Sequence, residues 1–222
     1  VCHELVNRGF HINHKRVQRI MHDLKLFGKR PKEKYHSYKG EVGKVAGNII
    51  QRNFKADRPL QKWTTDVTQF HFSWGKCYLS PILDMNTNEI ISYDLSMIPN
   101  LNQIKRMLNR AFKKFRNLQG LIMHSDQGWQ YQHEYYRSEL KKHGIIQSMS
   151  RKGNCYDNSI METFFGRMKN EMYYGSEKEY TSFKVFAKAV KEYIHYFNKE
   201  RIQKKTKWMP PEIYRETSTN AI

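Results

Sequence analysis

The sequence predicts a mixed α/β protein, one sheet with helices on its faces, preceded by a small basic helical unit. Three observations carry this. Residues 63–96 form a run of Thr-, Val-, Phe- and Ile-rich segments separated by turn residues. From about residue 100 the apolar period alternates between helix and strand. The positive charge is weighted toward the front of the chain. Of 222 residues, 39 are Lys or Arg and 21 are Asp or Glu, a formal net charge of +18. Residues 1–60 hold 14 basic and five acidic side chains, whereas residues 121–171 hold seven and six. A basic entry module before a nearly neutral centre suits an enzyme acting on nucleic acid; a generally basic soluble protein is the plainer alternative. Hydrophobic content of 39% and aromatic content of 14% exclude a disordered chain.

The elements follow in order. Residues 1–8 read as a helix stopped by Gly9 in the C′ position. Asn13 can cap a second helix in which Val17, Ile20, Met21 and Leu24 form one apolar stripe, with Lys15, Arg16, Arg19 and His22 largely off it. That is the pattern of a helix-turn-helix DNA reader, or equally of an ordinary helical hairpin with a solvated basic face. Residues 31–60 are polar and Gly-dotted, a linker. "WTTDVTQFHF", "CYLSPILDM" and "NEIISYDLSM" then read as three antiparallel strands, with Pro81 requiring a bulge or an unpaired position. Ile104, Leu108, Ala111, Phe112 and Phe115 mark a helix. "LIMHSD" is a short strand, 131–143 a helix ended by Gly144, and "IIQSM" another strand. A loop, "RKGNCYDN", leads into a helix from about Asn158 to Glu171, and a last helix carries Phe183, Phe186, Val190, Tyr193 and Phe197. The resulting order is β-β-β-α-β-α-β-α-α in a five-stranded sheet, with a core over 61–200 and a tail over 201–222.

Three cysteines, Cys2, Cys77 and Cys155, lie far apart with no C-x-x-C pair. Neither a zinc site nor a disulfide framework is legible, which points to a reducing cytosol. No apolar run approaches the ~18 residues of a membrane span, and nothing resembles a signal peptide. The chain opens on Val1, as a fragment, an alternative start codon or an extension of another frame would.

The chemistry is carried by acids. Asp66 lies on the first strand, Asp126 at the C-terminal end of the fourth, and Glu162 on the helix after the "RKGNCYDN" loop. If the first and fourth strands are neighbours, the aspartates meet and the helix delivers Glu162 beside them. Three converging carboxylates repel each other unless a cation is present. Oxygen-only ligands suit Mg²⁺ or Mn²⁺, and two such ions ~4 Å apart can serve both sides of a phosphodiester exchange. With 21 acids in the chain, Asp84 and Asp94 at other strand ends are competing candidates. Met161, Phe164 and Met168 read as core, and His124 as a structural hydrogen-bonder.

At "WTTDVT", "HSDQGWQY" and "NCYDNSIMETFFGRMKNE" the sequence resembles the second-frame catalytic protein of the insertion-sequence-three family of bacterial transposases. Sixty residues separate Asp66 from Asp126, and 35 residues intervene between Asp126 and Glu162, the D-35-E signature of that family. "HINHKRVQRIM", "YFNKERIQ" and "MPPEIYRE" extend the resemblance over nearly the whole chain. It implies an RNase H-like core shared with retroviral integrases, with Asp66, Asp126 and Glu162 as catalytic acids binding Mg²⁺ or Mn²⁺, two ions per site. Implied with it are hydrolysis at the element's ends, 3′-hydroxyl strand transfer into target DNA, a homo-oligomer on DNA and a cytoplasmic, nucleoid-associated location. It further implies a first-frame helix-turn-helix product as fusion or partner. The zinc-binding module of retroviral integrases has no counterpart here. Lys15, Arg16 and Arg19 are expected on DNA in residues 1–30. Asn158 and Lys169, four before and seven after Glu162 and so on its helical face, are expected to touch substrate too. The alternatives are a nuclease of the same fold without strand transfer and a non-catalytic DNA-binding regulator.

Overall fold

The structure, a computed structural model, describes residues 1–28, 45–151 and 155–219. Residues 31–44 of the linker expected over 31–60 therefore lie outside the described residues. Two short helices come first, α1 (Cys2–Asn7) and α2 (His14–Asp23). Gly9, at φ +84°, ends α1 in a Schellman motif: its N–H donates to Val6 O, and that of Phe10 to Leu5 O. Asn13 caps α2 by accepting from the Lys15 N–H. The apolar stripe of α2 is less enclosed than its spacing predicts. Val17 is buried, but Ile20 and Leu24 are exposed. Two helices of six and ten residues do not between them wrap that face.

The sheet follows: β1 (Lys62–Thr65), β2 (Thr68–Phe72), β3 (Gly75–Asp84) and β4 (Ile90–Ser96). Helix α3 (Leu101–Lys114) leads to β5 (Ile122–Ser125), and α4 (Trp129–Gln132) with α5 (Glu134–Lys142) to β6 (Ile146–Met149). A 3₁₀ turn (Cys155–Asn158) opens α6 (Ser159–Met168), a π-helical turn (Lys169–Tyr173) closes it, and α7 (Phe183–Lys199) and α8 (Pro211–Thr219) complete the chain. β3 pairs antiparallel with β4 on one side and with β1 and β2 on the other; β5 and β6 extend the sheet from β1 in parallel.

Six strands stand where five are predicted, because the first one breaks. Trp63↔Asp84 and Thr68↔Leu79 keep the same register along β3, so β1 and β2 form one line interrupted at Asp66 and Val67. Proline explains the gap. In an antiparallel ladder alternate pairs exchange both backbone bonds, and Met85 N–H donating to Lys62 O marks one such pair. Counting on by twos brings Asp66 opposite Pro81, which has no N–H to give. The predicted 131–143 helix also splits, at His133, whose extended backbone ends α4 while its Nδ1 accepts from the Tyr135 N–H to cap α5. The expected tail is ordered as well. Arg215 of α8 and Lys114 of α3 both meet the fully buried Glu89 at 2.6 Å.

Helices cover both faces. On one side Trp63, Ile82 and Met123 pack with Ile104, Leu108, Tyr131 and Leu140 of α3, α4 and α5. On the other, Phe70, Leu79 and Leu83 pack with Phe164, Phe165, Phe186 and Phe197 of α6 and α7. Strand alternation thus sends Trp63 and Thr65 to the α3 side and Thr64, Asp66 and Thr68 to the α6 side.

Candidate active site

The geometry begins with β1 and β5. Their parallel pairing runs Lys62↔Ile122, Trp63↔Met123, Thr64↔His124, a constant offset of 60 residues. Continued past the strand ends, it sets Asp66 beside Asp126. Adjacent strands lie ~4.8 Å apart, so two carboxylates so placed feel each other directly.

Asp66 is buried. One carboxylate oxygen accepts from the Val67 N–H at 2.7 Å and the other from Asn158 Nδ2 at 3.0 Å. Thr64 Oγ1 donates to Asn158 Oδ1 at 3.0 Å, which orients the amide. Burial pushes the Asp66 carboxyl well above the usual range, with the charges of Asp126 and Glu162 adding to the rise. Asp126 is likewise pushed up by burial, opposed by its bond from the Gly128 N–H at 2.9 Å. A Cβ at Gly128 would fall 2.5 Å from the end of the Gln130 side chain and 3.0 Å from the Asp126 carboxylate, so the backbone approaches the acid closely here. Glu162, half-exposed on the first turn of α6, is raised by burial.

The competing acids are engaged elsewhere. Asp84 accepts from Leu60 N, Trp63 Nε1, Asn86 N and Thr87 N, and Asp94 is held by Arg106 and Arg110. His124 is fully buried between Ser148 Oγ and Asp157 O, a structural role. Met161, Phe164 and Met168 are core.

Among the DNA-contact candidates, Lys15, Arg16 and Arg19 are exposed on α2. Asn158 and Lys169 are not presented to solvent. Asn158 is buried on Asp66, and Lys169 is buried with Nζ donating to Gln69 O at 3.0 Å and lying 5.1 Å from the Phe70 ring centroid. The face of α6 that carries Glu162 is the face laid on the sheet, so residues one turn back and two turns on pack against β1 and β2. A cue missed in the sequence is Asp157, whose buried carboxylate gathers Asn48, Arg52 and Arg151 beside Asn158.

Among the described residues, no three His, Cys, Asp or Glu side chains stand ready around one ion. The chemistry of the site still fits a hard cation: three carboxylates whose like charges repel one another, and a buried Thr68 hydroxyl on the Asp66 face that has no partner among the described residues.

Comparison with known proteins agrees with this architecture. The Integrase core domain family matches residues 56–155 and a second Integrase core domain family residues 162–218, while an HTH-like domain matches residues 1–34. An uncharacterized transposase-like protein of Haemophilus influenzae is 54% identical over 94% of this chain and 95% of its own length. The transposase for insertion sequence element IS904 of Lactococcus lactis is 32% identical over 95% of this chain and 83% of its own. In fold, the HTLV-2 integrase catalytic core domain in complex with magnesium superposes with a TM-score of 0.58 at 13% identity, covering 72% of this chain and 99% of that one. With an RNase H-like integrase core, an N-terminal helix-turn-helix-like domain and relatives matched over most of their length, the chain belongs to the insertion-sequence transposases.

Proposed function

We propose that this chain, a polynucleotidyl transferase by family, cuts phosphodiesters at the ends of a mobile element and joins the freed 3′-hydroxyl to target DNA. Asp66, Asp126 and Glu162 are the acids that hold its divalent metal, Mg²⁺ or Mn²⁺, two ions per site. The observation that supports this reading is the 60-residue offset between β1 and β5, which, continued two residues past the last paired position, runs from Asp66 to Asp126. When bound, the metal supplies Lewis-acid activation and neutralises charge at the phosphodiester.

The protein's own residues prepare the site. Asn158, fixed by Thr64, sets the direction of the Asp66 carboxylate. The Gly128 N–H does the same for Asp126 and opens α4 at the strand end. No side chain is needed as a nucleophile. The phenols of Tyr131 and Tyr136, which feel these carboxylates, are buried, and burial together with the carboxylate charge pushes both up, so they stay neutral. That favours direct in-line transfer between oxygens, where positioning and charge neutralisation lower the barrier. The substrates on this reading are terminal inverted repeats and target DNA in the bacterial nucleoid, bound by an oligomer with the first-frame product as fusion or partner.

Mn²⁺-dependent strand transfer from a pre-cleaved oligonucleotide tests the proposal. Asp126→Asn should abolish joining and leave DNA binding intact. Cleavage without joining by the native protein would instead indicate a nuclease, and joining by Asp126→Asn at near-normal rate would remove the acid from the reaction.

A further inference from the structure

An unusual patch borders the acids. Asp157 is buried, yet it anchors two half-exposed arginines. Its Oδ1 accepts from Arg52 Nε at 2.9 Å and Arg151 Nη2 at 3.0 Å; its Oδ2 accepts at 3.0 Å from Arg151 Nε, the Arg151 N–H and Asn48 Nδ2. The arginine side chains remain 48% and 58% exposed. Their bonds to Asp157 use Nε of Arg52, and Nε and Nη2 of Arg151, and about half of each side chain stays open to solvent. Beside them Tyr156 is 70% exposed, and the Arg52 guanidinium carbon lies 5.8 Å from its ring centroid. Two residues after Tyr156, Asn158 holds Asp66.

An aromatic ring this open contributes little to the core. Two guanidiniums locked by a shared carboxylate carry a net positive charge with little left to order on binding an anion. A ring face for stacking beside pre-oriented cations for phosphate is the chemistry of single-stranded nucleic acid recognition.

We propose that Tyr156, Arg52 and Arg151 hold an unpaired nucleotide of the DNA strand entering the acid site. The base stacks on Tyr156, its phosphate lies on the two arginines, and Asp157 is the positioning residue that fixes them. The inference rests on the DNA strand-joining reading but concerns binding alone. A duplex interior offers no free base face, so the occupant is a strand end or a frayed nucleotide.

The test uses the full chain without divalent metal and a short duplex whose single-stranded overhang carries 2-aminopurine. Stacking should quench the probe on binding. Tyr156→Ala should abolish the quench and weaken binding about tenfold, with melting temperature unchanged. Tyr156→Phe should restore both. Arg52→Gln with Arg151→Gln should flatten the salt dependence of binding by roughly 0.7 for each phosphate no longer neutralised. Asp126→Asn should lose joining yet keep the quench, so failure of the catalytic assignment and failure of this one are separable. An undiminished quench in Tyr156→Ala would overturn the proposal, as would an equal loss of affinity for a blunt duplex.

Discussion

Single residues divide here into those whose spacing is informative and those whose surroundings decide. Asp66 and Asp126 are of the first kind: an interval of 60 in the chain becomes a strand register in the fold. Lys169 is of the second. Helical spacing places it on the Glu162 face, but only the packed structure shows that this face lies on β2. Lys169→Ala should therefore destabilise the protein by about 1–2 kcal/mol, the worth of a charged hydrogen bond together with the cation's attraction to the Phe70 ring. Equal midpoints in urea for variant and native protein would return Lys169 to the surface. Asp157 permits a sharper test. Its two arginines hold the carboxyl well below the ordinary range. A depressed folded-state value adds stability that is full above the unfolded pKa of about 3.9 and fades as pH falls through the folded one. Asp157→Asn should thus cost about 1.5–3 kcal/mol at pH 7, and the gap between the unfolding curves should narrow steadily below about pH 4. A gap that does not change with pH would mean that the charge is not what stabilises.

At the scale of elements, the order of strands and helices is readable because each long segment has one clear period. The errors fall where a local event interrupts it. Pro81 signals a gap in its own strand, yet the break shows in β1–β2, because the missing N–H is felt by the residue opposite. His133 splits a helix without a Gly or Pro to announce it. The α8 segment reads as a tail because its anchor is distant: Glu89 lies 126 residues from Arg215. Arg215→Met should be costly, since it leaves a fully buried carboxylate with Lys114 as its remaining cation among the described residues. Breaking such a pair typically costs about 3–5 kcal/mol. Chemical denaturation of this variant, and of a chain ending after Lys199, should show both less stable than the native protein. Native-like midpoints would make α8 an appendage.

For the molecule as a whole, the exposed basic charge and the proposed chemistry are carried by different elements. The exposed Lys15, Arg16 and Arg19 sit on α2, which is no part of the sheet, whereas the acids lie at the ends of β1 and β5 and on α6. Replacing all three basic residues with Gln should therefore act on DNA affinity and not on the acids. The slope of log affinity against log salt should fall by roughly 0.9 for each phosphate no longer neutralised. Folding should hardly change, because surface substitutions usually stay within about 0.5 kcal/mol. Strand transfer should fall at low DNA concentration and recover as the concentration is raised, since the variant binds more weakly and keeps its chemistry. Asp126→Asn should make the opposite pattern, with binding kept and no recovery at any DNA concentration. An unchanged salt slope in the triple variant would assign the helical pair to a solvated face and move the DNA-binding surface onto the core.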